Sequence, residues 1–173
     1  STSWARVDPM GDGNWNAGGL RYYDRLVDAC LDRGITPWVT LYHWELPQAI
    51  EDQGGWLRLE TAQAFGRFAS MMAKHFQGRV HHYFTLNEPQ IVLSLGHALG
   101  LHAPGRQYDL PQLVQCWKHL MLAHGLAARA IREADSTAQV GLASTGRLCW
   151  PHSPEDREAS TNAAFAMPDE DWM

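Results

Sequence analysis

No run of basic residues interrupts this sequence. Its 14 lysines and arginines are scattered among 19 acidic residues, for a net charge of −5. That balance excludes the basic surface that nucleic acid or an anionic membrane would need. Long apolar runs are missing too, and none approaches the ~20 residues of a membrane span. Cysteine is scarce: Cys30, Cys116 and Cys149 lie far apart, with no C-x-x-C. An odd, dispersed set suits reduced thiols in a cytoplasmic protein and offers no zinc site. The nine histidines include no H-E-x-x-H, and His81 and His82, adjacent on an expected strand, point to opposite faces. No metal and no cofactor are therefore expected. "DGNWNAG" fails as a calcium loop, because Ala17 stands where that loop needs glycine and Tyr23 where it needs glutamate. "GDGNWN" carries only the first two glycines of a dinucleotide fingerprint. "GLASTG" misses G-x-S-x-G by one residue, so Ser144 is not expected to be a nucleophile. No leader opens the sequence, but the first residues look like the middle of a longer motif, so little follows from that.

What is present is a core. The chain has 173 residues, is 45% hydrophobic and holds eight tryptophans, enough for one domain over residues 1–173. Two periodicities alternate along it. "STSWARV", Ser1 to Val7, reads as a short strand. Asn16 then caps a helix whose stripe is Leu20, Tyr23, Val27, Cys30 and Leu31, and Gly34 stops it. "ITPWVTLY", Ile35 to Tyr42, reads as a strand buried on both faces. A second helix carries Phe65, Phe68, Ala69, Met72 and Phe76 and ends at Gly78. "VHHYFTL", Val80 to Leu86, is the next strand. Asp109 and Pro111 open a long helix with a stripe at Leu113, Trp117, Leu120, Met121, His124, Ala128 and Ile131. "QVGLAST", Gln139 to Thr145, is a fourth strand, and the tail from Gly146 reads as irregular.

Such alternation predicts an α/β fold with parallel strands and right-handed crossovers. About four parallel strands and three main helices are expected. The loops that follow strands are long, whereas those that follow helices are tight. That asymmetry favours part of an eight-stranded barrel, with its site at the carboxyl ends of the strands, over an open doubly wound sheet.

Three of those strand ends carry unusual residues: "YHWELP", "TLNEP" and "STG". In a parallel barrel His43, Trp44, Asn87 and Glu88 converge on one pocket. A glutamate at a pocket floor can carry a proton at neutral pH if burial raises its pKa. An asparagine and a histidine beside it, backed by an indole, suit a neutral ligand rich in hydroxyls. The plainer readings are a loop glutamate, a turn asparagine, a hydrogen-bonded histidine and a core tryptophan.

"TLYHWELPQAIEDQGGW", "YFTLNEPQ" and "GLHAPG", in that order and with "SWARVDPMGDGNWNAGGLRYYDRLVDACLDRGITPWVTLYHW" before them, resemble the β-glucosidases of glycoside hydrolase family 1. The resemblance runs from Ser1 to about Thr145 and more loosely beyond. It implies a retaining β-glycosidase on a (β/α)₈ TIM barrel, with a small-molecule β-glycoside or oligosaccharide as substrate. It makes Glu88 the general acid/base. Asn87 and His43 become ligands of the glycone hydroxyls, and Trp44 a wall of the same pocket. It also implies that the chain is an internal fragment, roughly strands two to five. The family's nucleophile belongs to a Glu-Asn-Gly motif that does not occur in the sequence. Glu45, Glu51 and Asp52 are poor substitutes. Such a fragment is expected to be inactive alone and to associate with itself or with the remainder of a barrel. A non-catalytic sugar-binding or assembly module is the alternative.

Overall fold

A computed structural model describes residues 1–145 and 149–165. The chain opens with a short helix, α1 (Trp4–Val7), where a strand is expected. Ser3 explains the difference: its hydroxyl caps the Arg6 amide, and Trp4 and Val7, three apart, both turn into the core at 0% exposure. What remains of strand character is the Thr2 amide, which donates to Thr40 O at 2.8 Å.

Helix α2 (Ala17–Leu31) starts where Asn16 accepts from the Gly18 amide. It stops at Gly34, whose φ of +69° only glycine adopts cheaply. Strand β1 (Trp38–Tyr42) follows, then α3 (Gln48–Glu51), a 3₁₀ turn (Gly55–Leu57) and α4 (Leu59–His75). Strand β2 (His82–Asn87) leads into α5 (Pro89–Ile91) and a π-helical turn (Val92–Ala98). The long α6 (Leu110–Ala134) is opened by a capping box between Asp109 and Gln112, with Pro111 in its first turn. Strand β3 (Gln139–Ala143) completes the sheet. The tail is not irregular throughout: a 3₁₀ turn (Pro154–Asp156) runs into α7 (Arg157–Phe165), primed by a capping box between Ser153 and Asp156. Residues 146–148, where that tail begins, lie outside the described residues, as does Gly146 of the "STG" strand end.

Among the described residues the sheet has three parallel strands in the order β1-β2-β3, one fewer than expected because the first stretch is helical. Trp38 pairs with His82 and Tyr42 with Leu86. On the other side Phe84 pairs with Gly141 but Asn87 with Ala143, so β2 carries one extra residue at its carboxyl end. A bulge of this kind re-aims the side chains that follow it.

Among the described residues the core lies chiefly on one side of the sheet. Val39, Leu41, Tyr83 and Leu86 pack against α4 and α6, where Phe65, Phe68, Met72 and Phe76 are fully buried. The stripe expected on α6 holds at Leu120, Ala128 and Ile131 and is shifted elsewhere. Cys116, Leu120, Ala123, Ala127 and Ile131 are buried, whereas Trp117 is 37% exposed, because small residues let α6 approach the aromatic face of α4. On the opposite sheet face Trp38 stacks on His82, ring centres 4.3 Å apart, and stays 56% exposed. The expectation of a strand buried on both faces therefore fails for β1. Three strands do not curl far enough to cover their own inner face.

Candidate active site

The strand ends gather the expected polar residues through backbone conformations that few residues adopt. Trp44, just past β1, has φ +76°, and Glu88, just past β2, has φ +43°. For non-glycine residues such conformations cost about 1–3 kcal/mol and cluster at functional sites. Pro89 bars Glu88 from the right-handed helical region, so the chain cannot simply coil from Glu88 into α5, but it does not by itself account for the left-handed backbone. The Glu88 amide instead donates to Ala143 O at 2.8 Å, tying the turn to the end of β3. The Thr145 hydroxyl donates to the Glu88 carboxylate from the same strand end.

Three of the four expected residues interlock. Asn87 Nδ2 lies 3.2 Å from His43 Nε2. The Trp44 indole donates through Nε1 to Asn87 O at 2.9 Å. Its ring leans on His43 on one side and on His102, ring centres 5.3 Å apart, on the other. Glu88 is adjacent in sequence but is held by β3 rather than by this cluster. Behind β2, the fully buried Thr85 contacts His124 Nδ1 on α6 at 2.7 Å, which pins the strand from the core side. Burial holds the His124 pKa below its ordinary value, with the nearby Arg132 acting in the same direction.

Glu51, a remote nucleophile candidate in the sequence, has a structural place. It is 5% exposed, accepts from Arg106 Nε at 2.8 Å, and so links the loop after β1 to the loop after β2. Gly55, at φ +51°, leaves room for it: an added Cβ would sit 2.2 Å from Glu51 Oε2. Asp52 is engaged by Gln48 Nε2 at 2.7 Å. Glu45 shares a cavity of about 350 Å³ with His43, Ser1, Arg6 and Tyr23 at the β1 edge. Sequence reasoning singled out the strand end of Thr145, "STG", without giving Thr145 a role, and missed Ser1, His102 and the Arg106 partner of Glu51. Among the described residues no cluster of three or more histidine, cysteine or acidic side chains could hold a metal ion.

Parallel strands with helices outside and polar residues collected at their carboxyl ends define a segment of a (β/α)₈ barrel. The chain belongs to glycosyl hydrolase family 1, whose model matches residues 1–172. It is 41% identical over 162 residues to β-glucosidase A of Acetivibrio thermocellus, a match that covers 92% of this chain and 36% of that protein. It is also 41% identical over 182 residues to β-glucosidase 25 of Oryza sativa subsp. japonica, covering 94% and 36%. The solved β-glucosidase from Thermotoga maritima in complex with deoxynojirimycin superposes with a TM-score of 0.82 at 37% identity, over 88% of this chain and 35% of that one. The chain thus spans little more than a third of the length of the curated relatives it matches.

Proposed function

We propose that this chain supplies the acid/base half of a retaining β-glycosidase site acting on terminal β-D-glycosides. The observation that carries the reading is the contact of Asn87, next to Glu88 at the end of β2, with His43 and Trp44 at the end of β1. Its support is the family membership and relatives named as β-glucosidases. In this reading His43 and Asn87 hold glycone hydroxyls while Trp44 forms an apolar wall. Glu88, protonated, gives its proton to the glycosidic oxygen as the bond to the anomeric carbon breaks. A second carboxylate, ~5–5.5 Å away, attacks that carbon and forms a glycosyl-enzyme ester. Glu88, now ionised, then takes a proton from water, whose oxygen displaces the ester, and the sugar leaves with its configuration retained.

The second carboxylate belongs to barrel strands outside this sequence, so the 173-residue chain by itself is inactive. Its open sheet face, centred on Trp38, associates with another copy or with the missing strands. One observation favours a second reading, a sugar-binding module without catalysis: the His43–Asn87 pair is already assembled in this chain. Aryl β-glucoside turnover by the pure chain would overturn both the inactivity and the module reading. In a complete barrel that carries these residues, Glu88→Gln should slow poor leaving groups by ~10²–10⁴-fold. Activated aryl glycosides, which need little protonation, should fall far less. Equal losses on both would remove Glu88 from the acid/base role.

A further inference from the structure

The loop after β2 is strapped to its own π-helical turn by backbone bonds. The His102 amide donates to Leu95 O at 2.9 Å, the Arg106 amide to Gly96 O at 3.0 Å and the Tyr108 amide to His97 O at 2.7 Å. The Gly105 amide donates to His102 O at 2.7 Å, which closes a turn with His102 at one end and Arg106 just past the other. The loop after β1 carries Trp44 and, further on, Glu51 in α3. Between the two loops Arg106 Nε reaches Glu51 at 2.8 Å, and His102 lies against Trp44 with ring centres 5.3 Å apart. Among the described residues no other hydrogen bond joins residues 45–58 to residues 88–109. Of these two contacts the ion pair is the directional one. A charge-assisted N–H···O bond fixes distance and angle, whereas two rings tilted by 33° can slide over each other.

We infer that Glu51 and Arg106 are positioning residues for the sugar site: the buried carboxylate draws the arginine into place, and the arginine, just past the His102 turn, holds His102 against Trp44. This rests on the glycosidase reading for its purpose, because Trp44 is then a wall of the pocket, though not for its chemistry. The roles within the pair follow from burial. The Glu51 side chain is 6% exposed and Gly55 leaves it room, so the carboxylate is the fixed member. Its Oε2 is buried with no hydrogen-bond partner among the described residues, so Arg106 is the contact that compensates the charge. Arg106 is half-exposed and has no other side-chain hydrogen bond among the described residues, so it goes where Glu51 holds it. His102, at the near end of the same turn, is carried with it.

Nuclear Overhauser contacts between ring protons of the isotope-labelled chain test this without any sugar, with His102→Gln and His43→Gln used to identify the signals. The wild type should show cross-peaks from the Trp44 indole to His102 and also to His43, whose ring centre lies 5.1 Å away. Arg106→Met alone would strand a buried charge, so the pair is replaced together. Exchange of a buried ion pair for apolar side chains of similar volume is often neutral or stabilising. The double variant Glu51→Met/Arg106→Met should therefore stay folded and keep the Trp44–His43 cross-peaks, yet lose those between Trp44 and His102. A wild type without Trp44–His102 cross-peaks, or a double variant that keeps them at full strength, would overturn the inference. So would a double variant that loses its fold or its Trp44–His43 cross-peaks as well, because the pair would then serve the whole structure rather than one wall. Failure of the glycosidase reading shows instead in the Glu88→Gln rates, so the two are separable.

Discussion

The two faces of the sheet are built from the same three strands and have opposite fates. Toward the helices, Val39, Leu41, Tyr83, Thr85 and Leu86 disappear under α4 and α6. On the other face, Trp38, His82 and Phe84 stack on one another and leave Trp38 more than half exposed. The helix side is a finished core. The inner side is an aromatic surface with no layer above it among the described residues, and the strand ends that carry His43, Trp44, Asn87 and Glu88 border it. Folding draws on the first face, whereas in our proposal the site draws on the second.

The helix side should be the fragile one. Phe68 is fully buried and stacks on Trp4, ring centres 5.5 Å apart. Phe68→Ala should cost about 3–5 kcal/mol, the range for an aromatic removed from a close-packed core. Urea unfolding would read this as a lower midpoint. A loss below about 1 kcal/mol would mean that the helix layer is not the finished core described above.

A smaller effect belongs to the rim of the same layer. Asp24 on α2 meets His75 at 2.8 Å and Arg79 at 2.7 Å, and Arg79 reaches Asp28 at 3.0 Å. Burial pushes the Asp24 pKa up, but the hydrogen bonds and charges of Arg79 and His75 outweigh it, and the net shift is downward. A carboxylate depressed in the folded state contributes stability that is fully present above its unfolded pKa, about 3.9. That contribution is lost as pH falls through the folded value. With a quarter of each side chain exposed, it should amount to at most about 1 kcal/mol. Thermal midpoints of wild type and Asp24→Asn should thus differ by a constant amount from neutral pH down to about 5, and converge below about 3.9. A gap that already closes between pH 7 and 5 would mean that ionisation of Asp24 is not its source.

The contrast between the faces also sorts what the sequence disclosed from what it hid. Where a signal is local, it was legible. Asn16 and Asp109 announce their helices, "ITPWVTLY" contains β1, "VHHYFTL" contains all of β2 but Asn87, and Phe65 to Phe76 marks the buried stripe of α4. Two local signals were misread. "STSWARV" alternates like a strand, yet Trp4 and Val7 at helical spacing behind a serine cap fit α1 better. On α6, large residues such as Trp117 drew the stripe away from the alanines that make the real contact. The site divides similarly. His43, Trp44, Asn87 and Glu88 stand out because each interrupts or ends a strand. Ser1 does not, and Thr145 stands out only as part of the "STG" strand end, because a lone hydroxyl acquires meaning only when the fold sets it against His43 or Glu88. The Glu51–Arg106 pair is hidden for the same reason, with its partners on two different loops.

The smallest stability effect gives the sharpest test of the comparison. Trp38 contributes area to an uncovered face, so Trp38→Ser removes stacking on His82 and Phe84 but opens no cavity. Its unfolding free energy should stay within about 0.5 kcal/mol of wild type, as for exposed substitutions generally. The same change removes the largest apolar group from a surface that, in our proposal, seeks a partner. Sedimentation of the wild-type chain should therefore show association that rises with concentration, and Trp38→Ser should weaken it. If the wild type instead stays a 19.5 kDa monomer at all concentrations, the inner face is content with water. If Trp38→Ser unfolds the chain as readily as Phe68→Ala does, the two faces are one core, and the division between folding and function drawn from them disappears.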